Sequence, residues 1–398
     1  MKLRGAVAVL LTLACFSASA AGDSNVMKRG TLENSWIRFQ TAKKGHVAFL
    51  GGSITEMDGY RPMICDMLGR RFPETAFTFT NAGIASTCST TGAFRLKDDV
   101  LDKGSVDLLF IEFAVNDDQD AHHTRDECIR GMEGLVRHVR RHNPRADVIF
   151  VYFVNEHIMD LYRKGETPLP IAAHEEVAAH YQLPSINLAK TVTTRIDAGE
   201  LTWQKFGGVH PAPFGNRMAA DMVGELLDEC WTVAWAADAA AKDYPLPAKP
   251  LDALNYGGGR FLDLKEAKVS DDWQIHVPDW ASLPGGKRDR FTKLPLLETA
   301  KPGASLCLEF SGTAIGAYIL AGPDAGIVEA LVDGGPPTQV DLWHQFSAGL
   351  HYPRTVIFSG TLAPGKHSLT LKISAEKNAQ SKGTAMRVLR FVVSDATP

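Results

Sequence analysis

The sequence predicts two parts, an α/β region with a parallel sheet followed by an all-β sandwich of jelly-roll type. Between His46 and about Leu188, short apolar runs rich in β-branched residues alternate with longer amphipathic stretches, an order typical of a parallel sheet with helices on both faces. From Asp252 onward, short strand-like runs are separated by Gly, Pro and Asp turn signals, as in a sandwich. A chain of 398 residues also exceeds what one hydrophobic core usually organises.

The N-terminus has the order of a secretory signal peptide. Basic residues open the chain, an apolar run extends from Gly5 to Phe16, and small residues end at Ala21. No later run approaches the roughly 18–20 apolar residues of a spanning helix. We therefore expect cleavage of residues 1–21, an N-terminal lead-in over 22–36, and an exported protein, periplasmic or secreted, with no membrane partner after cleavage.

Five strand-like runs make up the predicted parallel sheet. They are residues 46–50, 77–80, 107–113, 148–154 and 185–188. Helical spacing is clearest from Asp126 to His142, where apolar residues recur every three or four positions. Sites in such sheets form at the carboxyl ends of the strands. We assign residues 37–235 to this region and expect its site at that edge.

The C-terminal part contains six further strand-like runs. They are residues 307–310, 314–320, 326–332, 355–358, 367–373 and 386–393. Residues 236–250 are rich in Ala, Pro and Lys, as a linker or strap would be. We therefore place a linker at 236–250 and a β-sandwich accessory domain at 251–398. Trp273, Trp343 and His344 in that domain form either a sugar-stacking surface or part of the core and its rim.

Charge and cysteine content exclude several classes. The net charge of −4 gives no reason to expect nucleic acid or anionic membrane as a partner. Five widely spaced cysteines remain after cleavage and form neither a dense disulfide framework nor a CxxC metal pattern, so we expect mostly buried thiols with at most one bridged pair. No phosphate-binding or dinucleotide fingerprint occurs. We interpret Asp120-Ala121-His122-His123 as a polar helix start and expect neither a metal nor a cofactor.

Groups suited to acyl transfer follow three of the predicted strands. Ser53 ends the first strand in Gly51-Gly52-Ser53, Gly83 ends the second, and Asn116 follows the third. Because these strand ends meet at one edge of a parallel sheet, the three residues are expected to lie close together. A serine there is a candidate nucleophile, and a backbone N–H and a side-chain amide facing it are suited to stabilise an oxyanion.

His210 is the candidate base. It stands in the Gly- and Pro-rich loop Phe206-Gly207-Gly208-Val209-His210-Pro211, after the last sheet strand and on the edge where the other groups are expected. A serine hydroxyl is a poor nucleophile at neutral pH, and an adjacent imidazole is the usual means of taking its proton. The sequence therefore predicts a Ser53 and His210 pair.

In this order the four blocks resemble those of the SGNH hydrolases, the GDSL-like serine esterases. They are Gly-Gly-Ser-Ile-Thr with Ser53, Asn-Ala-Gly-Ile-Ala-Ser with Gly83, Ala-Val-Asn-Asp with Asn116, and Gly-Gly-Val-His-Pro with His210. The resemblance covers roughly residues 37–235. It implies a flavodoxin-like sheet and an acyl-enzyme mechanism in which Ser53 attacks and His210 shuttles the proton. It also implies an oxyanion hole made by the Ser53 and Gly83 N–H groups and the Asn116 side chain.

Two positions depart from the family pattern. Gly52 takes the place of the usual aspartate before the serine, a variant associated with carbohydrate-esterase-like branches of the family. Gly207 takes the place of the acid that normally stands three residues before the histidine, and no Asp or Glu occurs between Leu201 and Ala220. The histidine therefore needs another group to accept the proton on its second ring nitrogen.

Two kinds of group remain as supports for His210. One is a backbone carbonyl of the Trp203–Gly207 loop. The other is a distant carboxylate, and Glu175 is the first candidate because it opens a helix just after the fourth strand, on the same edge of the sheet. The further candidates are Glu176, Asp58, Asp117 and Asp118.

The function expected is that of an exported serine esterase that removes O-acetyl or other short acyl groups from a polysaccharide or oligosaccharide. Within the family that the sequence resembles, export together with a sandwich appendage is similar to the ester-type polysaccharide deacetylases. The expected partner is an acetylated carbohydrate. One alternative is a lipase or acylhydrolase of the same fold, although no long apolar lid occurs. The other is a carbohydrate-binding protein whose catalytic centre has decayed. The missing acid before His210 favours this second alternative.

Overall fold

The computed structural model describes residues 25–232 and 239–396. The predicted signal peptide and residues 236–238 of the predicted linker lie outside these two ranges. Within them, no helix is both long enough and apolar enough to cross a membrane.

Residues 25–232 form a six-stranded sheet and ten α-helices. The strands are β1 (Val26–Met27), β2 (Lys44–Gly51), β3 (Ala76–Gly83), β4 (Leu108–Glu112), β5 (Asp147–Tyr152) and β6 (Ser185–Asn187). The helices are α1 (Glu33–Ala42), α2 (Ser53–Glu56), α3 (Tyr60–Arg71), α4 (Ser89–Asp99), α5 (Arg125–His142), α6 (Glu156–Arg163), α7 (Leu169–His180), α8 (Leu188–Asp197), α9 (Trp203–Phe206) and α10 (Pro213–Trp231). The five strand-like runs of the sequence thus become β2 to β6.

The sheet has flavodoxin-like order, which confirms the predicted fold class. Its strands run β1-β6-β5-β4-β2-β3; β2 to β6 are parallel to one another, and β1 adds an antiparallel edge. Strand order reverses at β2, which lies between β3 and β4. Ligands bind such sheets at the carboxyl ends of the strands beside the reversal. The ends of β2, β3 and β4 are therefore where a site is expected.

The second part is built from antiparallel sheets, as the sandwich prediction requires. Its strands are β7 (Gly259–Leu262), β8 (Lys268–Val269), β9 (Gln274–His276), β10 (Leu296–Thr299), β11 (Ser305–Gly312), β12 (Ala314–Ala321), β13 (Ile327–Val332), β14 (Thr338–Asp341), β15 (Tyr352–Ser359), β16 (Gly365–Ile373) and β17 (Met386–Ser394), and its short helix is α11 (Asp289–Thr292). One sheet has the order β15-β12-β17-β10-β9, with β7 also on β17, and the other β14-β13-β16-β11-β8. A second hydrophobic core fills the space between them and includes Trp273.

The hydrophobic core of the α/β part is shared with the C-terminal part. The core cluster of the α/β part continues into the C-terminal part through buried side chains such as Tyr256, Tyr318, Leu389 and Val392. Residues 239–258, which include the described part of the predicted linker, run along α5 and are fixed there by hydrogen bonds to Glu133, Arg137 and Arg140. The C-terminal part is therefore packed on the α/β part.

The described cysteines are all reduced. Cys88, Cys128 and Cys230 are buried, and Cys65 and Cys307 are half-buried. This fits the expectation that most of them act as small apolar side chains in the interior.

Candidate active site

Ser53 stands at the turn between β2 and α2. β2 ends at Gly51, and Ser53 is the first residue of α2, so its side chain is presented at the carboxyl edge of the sheet. A Cβ atom on Gly52 would lie 2.0 Å from Asn116 Oδ1, far inside van der Waals contact. Glycine at position 52 thus lets the Asn116 side chain lie close to the backbone of this turn.

A buried arginine fixes the strand ends on which the site is built. Arg95 of α4 is only 1% exposed, and its guanidinium donates to the carbonyl oxygens of Gly51 at 2.9 Å and Ala82 at 2.6 Å. The first carbonyl belongs to the last residue of β2 and the second to the last but one residue of β3. Hydrogen bonds from one charged guanidinium to both carbonyls fix the ends of β2 and β3 relative to each other.

The loop that carries His210 is closed by the backbone. The N–H of Ala212 donates to the carbonyl of Phe206 at 2.9 Å, so the residues between them form a compact turn. Gly207 and Gly208 have φ angles of 112° and 80°, a left-handed region that glycine adopts readily and other residues avoid. His210 projects from this turn and is exposed.

His210 reaches Ser53 directly. Its Nε2 atom lies 2.8 Å from Ser53 Oγ, which is within hydrogen-bond reach for a base and its nucleophile. Asn216 fixes the loop from the other side, because its side-chain amide donates to the carbonyl of Pro211 at 2.5 Å. The structure thus brings together the two residues that the sequence places 157 positions apart.

No carboxylate in the described residues contacts the His210 ring. Position 207 excludes an acid, since a Cβ atom there would lie 1.9 Å from the backbone nitrogen of Ala212. The structure does not bring Glu175 to His210, because its carboxylate is held by Arg29 at 2.5 Å. The other candidates also have different partners: Glu176 pairs with Arg125, Asp58 with Arg61, Asp117 with His174, and Asp118 with His157.

Three groups were expected to form an oxyanion hole, and their donors differ in availability. The N–H of Ser53 opens α2 and has no acceptor among the described residues. The N–H of Gly83 already donates to Asn81 Oδ1 at 2.9 Å, so Asn81 must release it before it can bind another oxygen. The side chain of Asn116 is buried and lies against the turn before Ser53.

Asn116 lies in a π-helical turn that sets its side chain beside Asp120. The turn covers residues 116–120 and is closed by the bond from the Ala121 N–H to the Asn116 carbonyl at 2.9 Å. Asn116 Nδ2 donates to Asp120 Oδ2 at 2.8 Å, and the hydroxyl of Tyr352 donates to Asp120 Oδ1 at 2.9 Å. Burial raises the pKa of Asp120, although these hydrogen bonds oppose the rise.

Glu112 is a buried carboxyl group beneath the nucleophile turn that the sequence analysis did not single out. Its Oε2 accepts hydrogen bonds from the Gly52 N–H at 3.3 Å and the Thr55 hydroxyl at 3.0 Å. Burial raises its pKa to about 7. A charged residue inside the otherwise apolar run 108–113 was the signal that could have found it.

The C-terminal part contacts the loop after β3, which sequence patterns did not reveal. Arg290 pairs with Glu56 and donates to the carbonyl of Gly83 at 3.1 Å. Arg288 donates to the hydroxyl of Ser86 at 2.8 Å. These arginines fix the loop that carries Gly83, so the C-terminal part contributes to the shape of the site.

Metal-ligating residue types also meet behind Asn116. Asp117 accepts from His174 Nε2 at 2.9 Å and from the Ser89 N–H at 2.8 Å, and lies 3.3 Å from His123 Nδ1. Cys88 and Cys128 lie close to this cluster. Burial would raise the pKa of Asp117, but the two imidazoles hold it well below its usual range. The two histidines thus stabilise the buried carboxylate of Asp117. The cluster is therefore explained as a buried hydrogen-bonded network.

The chain is similar to known proteins in sequence and in fold. The sequence model of the GDSL-like lipase/acylhydrolase family matches residues 49–218. No curated protein sequence matches the chain.

Two solved structures share both parts of the fold. One is a two-domain esterase (CEX) active on acetylated mannans, co-crystallised with mannopentaose, with a TM-score of 0.74, 23% identity, and coverage of 94% of this chain and 97% of that chain. The other is also a two-domain esterase (CEX) active on acetylated mannans, with a TM-score of 0.72, 24% identity, and coverage of 94% of this chain and 98% of that chain. This likeness covers both parts of the chain, so those two proteins have the same fold in the α/β part and in the sandwich.

Proposed function

We propose that this chain, which carries a GDSL-like lipase/acylhydrolase domain over residues 49–218 and is a carboxylic ester hydrolase, removes O-acetyl or other short acyl groups from a polysaccharide or oligosaccharide. The observation that carries the proposal is the 2.8 Å contact between Ser53 Oγ and His210 Nε2 at the open edge of the sheet. The likeness in fold to an esterase active on acetylated mannans makes acetylated mannan the first polymer to test.

In the acylation step, Ser53 Oγ attacks the ester carbonyl carbon as His210 Nε2 takes the hydroxyl proton. Negative charge develops on the carbonyl oxygen, and we expect the Ser53 N–H and the second hydrogen of Asn116 Nδ2 to stabilise it. When the tetrahedral intermediate collapses, the bond to the sugar oxygen breaks. His210 gives its proton to that oxygen, and an acyl-Ser53 enzyme remains.

In the second step, water takes the place of the sugar hydroxyl. His210 Nε2 removes a proton from the water as it attacks the acyl carbon, and returns it to Ser53 Oγ as the carboxylic acid leaves. The site then has its starting protonation state. The exposed position of His210 supports this step because water reaches the imidazole, and hydration also stabilises the transient imidazolium.

Export is part of the proposal. The order of basic, apolar and small residues over 1–21 supports it, and a polymeric glycan substrate would be met outside the cell.

The test measures acetate release from acetylated mannan and acetylated xylan, together with hydrolysis of 4-nitrophenyl acetate. Ser53→Ala should lower turnover of every substrate by more than about a thousandfold, with an unchanged melting temperature because only a hydroxyl is removed from a turn. Ser105→Ala is the matched control, since Ser105 is exposed and precedes β4 at the opposite edge of the sheet.

The outcomes separate the parts of the proposal. Full activity in Ser53→Ala would refute the mechanism. Ser53-dependent cleavage of 4-nitrophenyl acetate without acetate release from any acetylated glycan would refute the substrate class and favour an acylhydrolase acting on small or lipid esters. An inactive wild-type protein that binds the glycans would support the decayed binding protein.

A further inference from the structure

Tyr352 reaches from the C-terminal part into the α/β part and ends a chain of side chains that leads to the nucleophile turn. Its hydroxyl donates to Asp120 Oδ1 at 2.9 Å and also lies 3.2 Å from the carbonyl of Ser86. Asp120 Oδ2 accepts from Asn116 Nδ2 at 2.8 Å. Asn116 in turn lies against Gly52, next to Ser53. Three hydrogen-bonded side chains thus connect the first residue of β15 to the expected oxyanion site.

The carboxylate of Asp120 determines which end of the Asn116 amide faces it. An ionised carboxylate only accepts hydrogen bonds, so it selects the orientation in which Nδ2, and not Oδ1, is its neighbour. An amide nitrogen carries two hydrogens, and one bond to Asp120 leaves the second for an oxyanion. With the amide reversed, Oδ1 would take the place of Nδ2 and its partial negative charge would oppose an oxyanion.

Tyr352 is itself held in place from the C-terminal part. The imidazole of His344 stacks on its ring with centroids 4.4 Å apart and planes 7° apart. Nε2 of His344 donates to the carbonyl of Asp120 at 2.7 Å, while Nδ1 accepts from the Phe346 N–H at 3.3 Å. Burial lowers the pKa of His344 to about 4, so the ring is neutral and both contacts are satisfied. Asp120 is therefore gripped at its carboxylate and at its carbonyl.

We propose that Asp120 and Tyr352 are positioning residues that hold the Asn116 amide ready to donate to the oxyanion. The inference rests on the esterase function proposed above. It makes the sandwich a contributor to the catalytic rate on every ester, including small ones that it does not need to bind. If Tyr352 only stabilised the packing of the two parts, its replacement would lower the melting temperature and leave kcat of the folded protein unchanged.

The test is a double-mutant cycle on 4-nitrophenyl acetate with wild type, Tyr352→Phe, Asn116→Ala and the double variant. Tyr352→Phe should lower kcat about tenfold, the scale of one hydrogen bond to a charged group, and leave KM unchanged because the bound ester has no oxyanion. In the Asn116→Ala background the same change should have less than about a twofold effect, since the amide that it positions is gone.

Tyr318→Phe is the matched control. Tyr318 is buried in the core shared by the two parts, and its hydroxyl has no hydrogen-bond partner among the described residues. This variant should keep the wild-type kcat. Asp120→Asn provides a second test, because an amide at 120 can donate to Asn116 Oδ1 and favour the reversed orientation; we expect a loss of kcat about as large as that of Asn116→Ala, about a hundredfold or more.

Two results would overturn the inference: a wild-type kcat in Tyr352→Phe, or an equal loss from Tyr352→Phe with and without Asn116. Melting temperatures of all variants show that the rates come from folded protein. The proposed function fails in a different way, through a wild-type rate that Ser53→Ala does not reduce.

Discussion

Replacing Glu112 by glutamine should remove a pH-dependent cost from the folded state. Burial raises the pKa of Glu112 from its ordinary value of 4.5 to about 7. Between these values the folded protein keeps a proton that the unfolded chain has released, so stability falls as the pH rises through this window. At about 1.4 kcal/mol per pKa unit, the difference costs the folded state about 3 kcal/mol above pH 7. Below pH 4.5 both states hold the proton and the cost disappears.

The assay is urea unfolding of wild type and Glu112→Gln at pH 4 and pH 8. At pH 4 glutamine replaces a neutral carboxyl group of the same shape, so the two proteins should differ little. At pH 8 the free energy of unfolding of the variant should exceed that of wild type by about 3 kcal/mol more than at pH 4, because wild-type Glu112 is then charged and buried. Comparing the two pH values cancels any fixed change in the bonds to Gly52 and Thr55.

Glu309→Gln is the matched control for net charge, since Glu309 is an exposed residue of β11. It should not reproduce the pH-dependent gain. If the free energy of unfolding changes with pH in the same way in wild type and in Glu112→Gln, the reasoning is refuted and Glu112 does not have a raised pKa.

Two further predictions concern the histidine loop and the shared core. Gly207→Asp should destabilise the protein by a few kcal/mol and lower esterase activity, since a Cβ atom at 207 collides with the backbone of Ala212; a stable variant with raised activity in unfolding and rate assays would contradict this. A chain ending at Ala240 should be aggregated in size-exclusion chromatography, because it lacks core residues such as Tyr256 and Leu389; a monomeric, active fragment would show that the α/β part is self-sufficient.

The sequence predicted those parts of the fold that depend on local pattern. β2 to β6 and α5 were recognisable because short apolar runs rich in β-branched or aromatic residues alternate with helical spacing. The short strands β8 and β9 were missed because their residues are exposed, so no apolar alternation marks them. Edge strands of two or three residues are decided by their partners and not by their own sequence.

The same distinction applies to the site. Ser53 and His210 were recognisable because each follows a strand or a glycine-rich turn, and the topology then places strand ends together. Glu175 was expected to open a helix on the same edge, but it lies in the middle of α7, where its carboxylate pairs with Arg29 of the N-terminal lead-in. Tyr352 and Arg290 act on the site through contacts between residues more than two hundred positions apart, and no local pattern records such packing.

The core shared by the two parts has a consequence for the order in which the chain can fold. Proteins are made from the N-terminus, and domains usually fold in that order as they emerge. Here the hydrophobic cluster of the α/β part includes Leu389 and Val392 of β17, almost at the end of the chain. A nascent chain that has emerged as far as Trp231 therefore holds every strand of the parallel sheet and still exposes apolar surface. Completion of the first domain must wait for nearly the last residues to be synthesised.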